Sequence, residues 1–141
     1  MLNKLFIDTD IILDIVLNRD EFFEESSAIF KLFENDEVLL YTSSTIIINA
    51  QYVAQKFIQR EKCRKAIYYL LDYFILLEAN METIKRAYES GFRDIEDAIQ
   101  YYTATRDDTI DFFITRNVKD FRAGENNIRV LSPRQFVNQI K

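Results

Sequence analysis

The groups best suited to chemistry in this chain are carboxylates. Asp8, Asp94, Asp97 and Asp120 each lie beside the end or the start of an expected element. The sequence carries 23 Asp and Glu against 18 Lys and Arg, and no His at all. Without His, Ser-His-Asp and Cys-His catalysis, His-ligated zinc and His general bases are excluded. A single cysteine, Cys63, excludes an intramolecular disulfide and a Cys-rich zinc site. Carboxylate oxygens suit hard cations such as Mg²⁺ or Mn²⁺. Carboxylates gathered within a few ångströms repel one another, and a divalent cation relieves that repulsion. Such an ion can also activate water and stabilise the leaving oxygen of a phosphodiester.

The elements that must position these acids follow from the apolar pattern. Residues 5–7 form a short apolar run, as in a strand buried on both faces, and it stops at Asp8. Thr9 and Asp10 offer capping oxygens for an apolar helix over 10–17. A carboxylate in this place has three readings: a phosphoryl-accepting nucleophile, a helix cap or a cation ligand. Further along, helices are expected over 22–33, 45–60, 61–72, 81–89 and 94–106, and from Pro133 onward, with a helical turn over 117–121. Strands are expected over 38–41, 74–77, 110–115 and 128–131. Asn80 and Asp94 are candidate helix caps, and Gly91 is a stop signal.

Strands alternate with helices throughout, which implies α/β architecture: three layers around a central, mostly parallel five-stranded sheet. Parallel strands bring their carboxyl ends to one edge, where ligands bind in open α/β sheets. Asp8, Thr115 and Asn117 lie near that edge. With 141 residues, 48% hydrophobic, and only 2 Gly and 1 Pro, the chain reads as one domain over 1–141. No signal-peptide pattern opens it and charge interrupts every long apolar run, so a cytoplasmic location without membrane spans is expected. The net charge of −5 argues against coating nucleic acid by bulk electrostatics but leaves room for a local basic path. Lys56, Arg60, Lys62, Arg64 and Lys65 form the densest basic run, read as a solvated helix junction or a phosphate-contacting rim. Arg116, Lys119 and Arg122 lie nearer the proposed centre.

Three blocks together resemble the signatures of PIN-domain proteins, among them the VapC-like toxins of bacterial toxin–antitoxin pairs. They are Leu5-Phe6-Ile7-Asp8-Thr9-Asp10, Arg93-Asp94-Ile95-Glu96-Asp97-Ala98-Ile99-Gln100 and Phe113-Ile114-Thr115-Arg116-Asn117-Val118-Lys119-Asp120-Phe121. The resemblance covers essentially the whole chain, in order and spacing. It implies metal-dependent RNA cleavage with Mg²⁺ or Mn²⁺. Asp8 matches the first-strand acid and Asp97 the acid opening the late helix, with Asp94 one turn earlier. Thr115 matches the hydroxyl residue ending the fourth strand, and Asn117 or Asp120 would complete the site. Arg116, Lys119 and Arg122 are the expected RNA contacts. A cognate antitoxin and homodimerisation are implied by the same resemblance.

Two positions depart from the family pattern. The helix after the second strand usually offers a Glu where this chain has Asn49, and the fourth acid is often an Asp where this chain has Asn117. Asn donates a neutral oxygen and does not neutralise a cation. A metal-poor or inactive PIN-like module that binds RNA or protein is the alternative this raises. Asp10 is expected to support the site from behind, and Asp14 on the first helix to be structural. The Asp8-Thr9-Asp10 sequence also mimics a D-x-D phosphohydrolase loop. The later pair Asp107-Asp108 follows a helix where that chemistry needs a strand end.

Overall fold

In the computed structural model, which describes residues 2–124 and 127–140, the elements alternate as the apolar pattern implies. The strands are β1 (Asn3–Ile7), β2 (Val38–Thr42), β3 (Phe74–Leu76), β4 (Phe112–Ile114) and β5 (Arg129–Leu131). The helices are α1 (Thr9–Val16), α2 (Phe23–Glu34), α3 (Ser44–Ala54), α4 (Arg60–Leu70), α5 (Met81–Tyr88), α6 (Ile95–Ala104) and α7 (Pro133–Ile140). Short 3-10 turns occupy Leu71–Tyr73 and Val118–Phe121.

All four strand pairings are parallel, in the order β3-β2-β1-β4-β5. β1 lies at the centre, which explains why Leu5, Phe6 and Ile7 are fully buried. From β1 the chain steps outward to β2 and β3, then returns across the sheet to β4 and β5. Right-handed crossovers therefore place α1–α4 on one face and α5–α6 on the other. The packing agrees: α1 contacts α2, α3 and α4, α7 returns onto α2, and α5 pairs with α6. The core is continuous across these layers, with Phe6 stacked on Phe113 and Phe113 against Phe121.

The reversal of direction makes the gap between β1 and β4 the topological switch point, where the connections leave opposite ways and a crevice opens. The Asp8 amide donates to the Ile114 carbonyl at 3.0 Å, and the Thr115 amide to the Leu131 carbonyl at 3.0 Å. These bonds extend the ladder one residue past the strands and carry Asp8 and Thr115 to the crevice.

Three local expectations need correction. The helix expected over 45–60 ends at Ala54, because the Phe57 and Ile58 amides both turn back to the Ala54 carbonyl. Gln59 is extended, with φ −60° and ψ 142°, so α4 starts afresh at Arg60. No Gly or Pro marks this break; Ala54 and Cys63, on either side of it, are both fully buried. Gly91 does not end α5 in a left-handed conformation, since no described glycine has positive φ. Neither Thr9 nor Asp10 caps α1: Asp8 is itself the cap. Asn80 and Asp94 do cap their helices, accepting from the Thr83 and Asp97 amides. At α7, Ser132 and Gln135 cap reciprocally, ahead of Pro133 at the first helical position.

Candidate active site

Asp8 directly follows the central strand and caps α1, so its carboxylate serves two neighbours. Oδ1 accepts from the Thr9 amide at 2.8 Å, and Oδ2 faces the Thr115 hydroxyl at 2.9 Å. The residue is only 9% exposed. Burial, the nearby Asp10 charge and, more weakly, Asp97 push its carboxyl up to about 8, against the pull of the Thr9 and Thr115 hydrogen bonds. Without a cation, these surroundings favour the protonated form of Asp8.

Asp10 sits on the first turn of α1 and meets the turn that leaves β4. Its Oδ2 receives the Arg116 amide at 3.0 Å, the Thr115 hydroxyl at 3.2 Å and the Asn117 Nδ2 at 3.3 Å. Thr115 has one proton for two carboxylates, so it links Asp8 and Asp10 and serves one at a time. Oδ1 of Asp10 is buried and has no hydrogen-bond partner among the described residues. Burial raises its carboxyl, and the Arg116 amide and charge oppose that rise.

A second set of acids lies on α6 and the Val118–Phe121 turn. Asp94, Asp97 and Asp120 line a cleft of about 600 Å³ together with Arg93, Lys119, Arg122, Gly91 and Ala123. Burial first, then Asp94, Asp120, Glu96 and Asp10, push Asp97 up to about 6. Asp97 thus feels both sets. Among the described residues, no three His, Cys, Asp or Glu side chains are gathered closely enough to cage an ion. The donor chemistry nevertheless fits a hard cation. Asp8, Asp10 and Asp97 are carboxylates held above their ordinary range by burial first and by neighbouring acids second, and the buried Oδ1 of Asp10 lacks a donor among the described residues. A divalent ion would answer both.

The structure brings together Asp8, Asp10, Thr115 and Asn117, with Asp97, Asp94 and Asp120 in the adjoining cleft. Asn49 lies on α3, which packs on α1, and its Nδ2 is buried without a partner among the described residues. Lys119 and Arg122 line the acidic cleft. Arg116 does not. Its Nε donates to buried Asp14 at 2.8 Å, its guanidinium lies 3.9 Å from the Phe22 ring centroid, and its side chain is 20% exposed. It points into the α1–α2 layer and is absent from the lining of the acidic cleft. Arg93 is the cleft residue that sequence reasoning passed over. Its signal was its place directly before the helix cap Asp94. The run over 56–65 lies on the exposed α3–α4 face; none of those residues lines the acidic cleft.

No curated protein sequence matches the chain significantly. Among solved structures, VapBC2 from Rickettsia felis, bound to a DNA fragment from its promoter, matches with a TM-score of 0.66 at 15% identity, covering 92% of this chain and 98% of that one. VapC20 from Mycobacterium tuberculosis, a sarcin-ricin-loop-cleaving toxin, matches with a TM-score of 0.68 at 13% identity, covering 89% and 98%. A toxin–antitoxin complex from Klebsiella pneumoniae matches with a TM-score of 0.64 at 24% identity, covering 92% and 97%. At these identities the likeness establishes the fold. The sequence itself matches the family model for the PIN domain over residues 4–119, most of its length, and the chain belongs to the PIN-domain family.

Proposed function

We propose that this protein is a divalent-cation-dependent ribonuclease acting as the toxin of a toxin–antitoxin pair. The observation that carries the reading is the placement of Asp8 at the β1–β4 switch point. Its carboxyl is raised by burial first, then by Asp10 and, more weakly, by Asp97.

Asp8 and Asp97 would hold the cation, with Asp94, Asn117 or Asp120 assisting. A bound Mg²⁺ or Mn²⁺ supplies an activated water and positive charge for the phosphodiester oxygens. The chain's own residues do the rest. Thr115 orients Asp8 Oδ2, and Asp10 receives the remaining donors of the β4 turn. Asn117, already tied to Asp10, contributes a neutral oxygen, so Asp8 carries much of the anionic charge. Lys119, Arg122 and Arg93 contact the RNA phosphates from the cleft walls. Asn49 lines the site from α3.

The 141 residues act as one PIN-like unit, in the cytoplasm; among the described residues no helix is long and apolar enough to cross a membrane. Homodimerisation is supported by the exposed apolar groups of the α3–α4 face, where Ile48, Tyr52, Phe57, Tyr68 and Tyr69 are each more than half exposed. The antitoxin reading is supported by the fold shared with toxins of such complexes.

Asn49, Asn117 and the absence of a closed three-acid group among the described residues favour one other reading, a PIN-like module that binds RNA or protein without cleaving. One experiment separates the two. Purified protein is incubated with structured and unstructured RNA in Mn²⁺ or Mg²⁺, beside an Asp8→Asn/Asp97→Asn variant. Metal-dependent cleavage lost in the variant supports the nuclease. RNA binding without cleavage in either metal supports the module.

A further inference from the structure

Asp14 is fully buried and belongs to no part of the cation site, yet it is the hub of a polar network inside the α1–α2 layer. Its Oδ2 receives the Ser26 hydroxyl at 2.7 Å and Arg116 Nε at 2.8 Å, while Arg19 Nη1 lies 3.7 Å from its Oδ1. Arg116 is fastened twice. Its side chain holds Asp14 and stacks on Phe22, and its own amide donates to Asp10. Asp10 and Asp14 are four residues apart, one turn of α1, so they share a face of that helix. One residue thus clamps the β4 turn across two successive acids of α1. The clamp brings the Thr115 hydroxyl, the Arg116 amide and the Asn117 amide group to a single oxygen of Asp10.

As a stabiliser this pair is a poor investment, because the desolvation of a buried ion pair roughly offsets its attraction. What an apolar pair of the same volume would not supply is direction. We propose that Asp14 and Arg116 are positioning residues: their buried pair sets the Thr115–Asn117 turn against Asp10 and so holds the carboxylate site in register across the β1–β4 crevice. The inference rests on the cation site of the proposed ribonuclease. It assigns Arg116 to the site's support rather than to RNA. Partners behind metal ligands typically change metal affinity by about ten- to a hundredfold when removed.

The test replaces both members with apolar residues, Asp14→Leu/Arg116→Met, in the full chain. Three quantities are read: the melting temperature, Mn²⁺ affinity by calorimetry, and amide hydrogen exchange at Arg116 and Asn117 against core amides such as Leu5 and Phe113. Expected are a melting temperature close to that of the parent, unchanged core exchange, loss of Arg116 amide protection and at least a tenfold weaker Mn²⁺ affinity. Retained Arg116 protection with parental Mn²⁺ affinity overturns the proposal. If the parent itself takes up no Mn²⁺, the nuclease reading fails, and exchange at Arg116 still decides the positioning role. Should the double variant not fold, Arg116→Lys serves. It keeps the charge but lacks the planar fork and ring stacking, and should show the same loss of turn protection with the core intact. Protection equal to the parent's in that variant also overturns the proposal.

Discussion

The Thr115 hydroxyl lies 2.9 Å from Asp8 Oδ2, joining residues 107 positions apart at the ends of two adjacent parallel strands. The contact spans the one gap in the sheet where the chain's connections diverge. It also ties the most perturbed carboxylate to the turn that carries Asn117, so chemistry at Asp8 should be sensitive to groups on both strands.

Replacing Thr115 separates the hydroxyl from the methyl. Thr115→Ser keeps a donor for Asp8 and Asp10 and should preserve most metal-dependent cleavage. Thr115→Val removes it from a fully buried position. Loss of a buried hydrogen bond costs about 1–3 kcal/mol, and Mn²⁺ affinity should fall as Asp8 loses its orientation. Thermal melts and calorimetry on the two variants check this; equal Mn²⁺ affinity in both would remove Thr115 from the site.

The metal-free protein should lose stability as the pH rises. Burial and Asp10 lift Asp8 from 3.8 to about 8, so the folded chain keeps a proton that the unfolded chain releases above the ordinary carboxylate range. Its contribution is complete below the unfolded value and is lost as pH rises through the folded one. Asp97, lifted to about 6, adds to the lower part of the same window. In chelator, the melting temperature at about pH 8.5 should lie several degrees below that at about pH 5.5. Asp8→Asn should flatten the upper part of the decline while abolishing cleavage. Mn²⁺ should raise the melting temperature most at the higher pH, since it binds the ionised carboxylates.

The cleft cations should govern RNA affinity and Arg116 should not. In an Asp8→Asn background that prevents cleavage, Lys119→Ala and Arg122→Ala should each weaken RNA binding. Each should reduce the slope of log affinity against log salt by about 0.7 if one phosphate contact is lost. Arg116→Ala should instead destabilise the fold by about 3–5 kcal/mol, because it leaves buried Asp14 without its closest cation. Filter binding across a salt series and urea melts distinguish the two behaviours.

Gly124 has no room for a side chain. A Cβ there would lie 2.7 Å from the Tyr101 ring, whose hydroxyl exchanges hydrogen bonds with the Ile128 backbone at 3.3 Å. Gly124→Ala should therefore cost about 1–3 kcal/mol by overpacking and disturb the neighbouring cleft wall at Ala123 and Arg122. A chemical melt gives the first effect. An RNA-binding measurement on the same protein, made well below its melting temperature, gives the second.

The local sequence by itself determined the succession of elements and the placement of the principal acids at their ends. Short apolar runs ending at Asp8 and Thr115, cap residues at Asn80, Asp94 and Ser132, and the lack of His each act over a few residues, where backbone propensity and side-chain type suffice. Tertiary structure decided what long-range burial decides. The break after Ala54 has no Gly or Pro to announce it, and it lets both Ala54 and Cys63 be fully buried. Asp8 caps α1 directly after β1, because strand order forces its carboxylate between Thr9 and Thr115. Arg116, in the middle of a legible motif, turns inward because a fully buried carboxylate on α1 and the ring of Phe22 await it. An isolated motif carries residue identity and spacing. The direction in which each side chain leaves the turn depends on partners a hundred residues away, and only the folded chain brings them within reach.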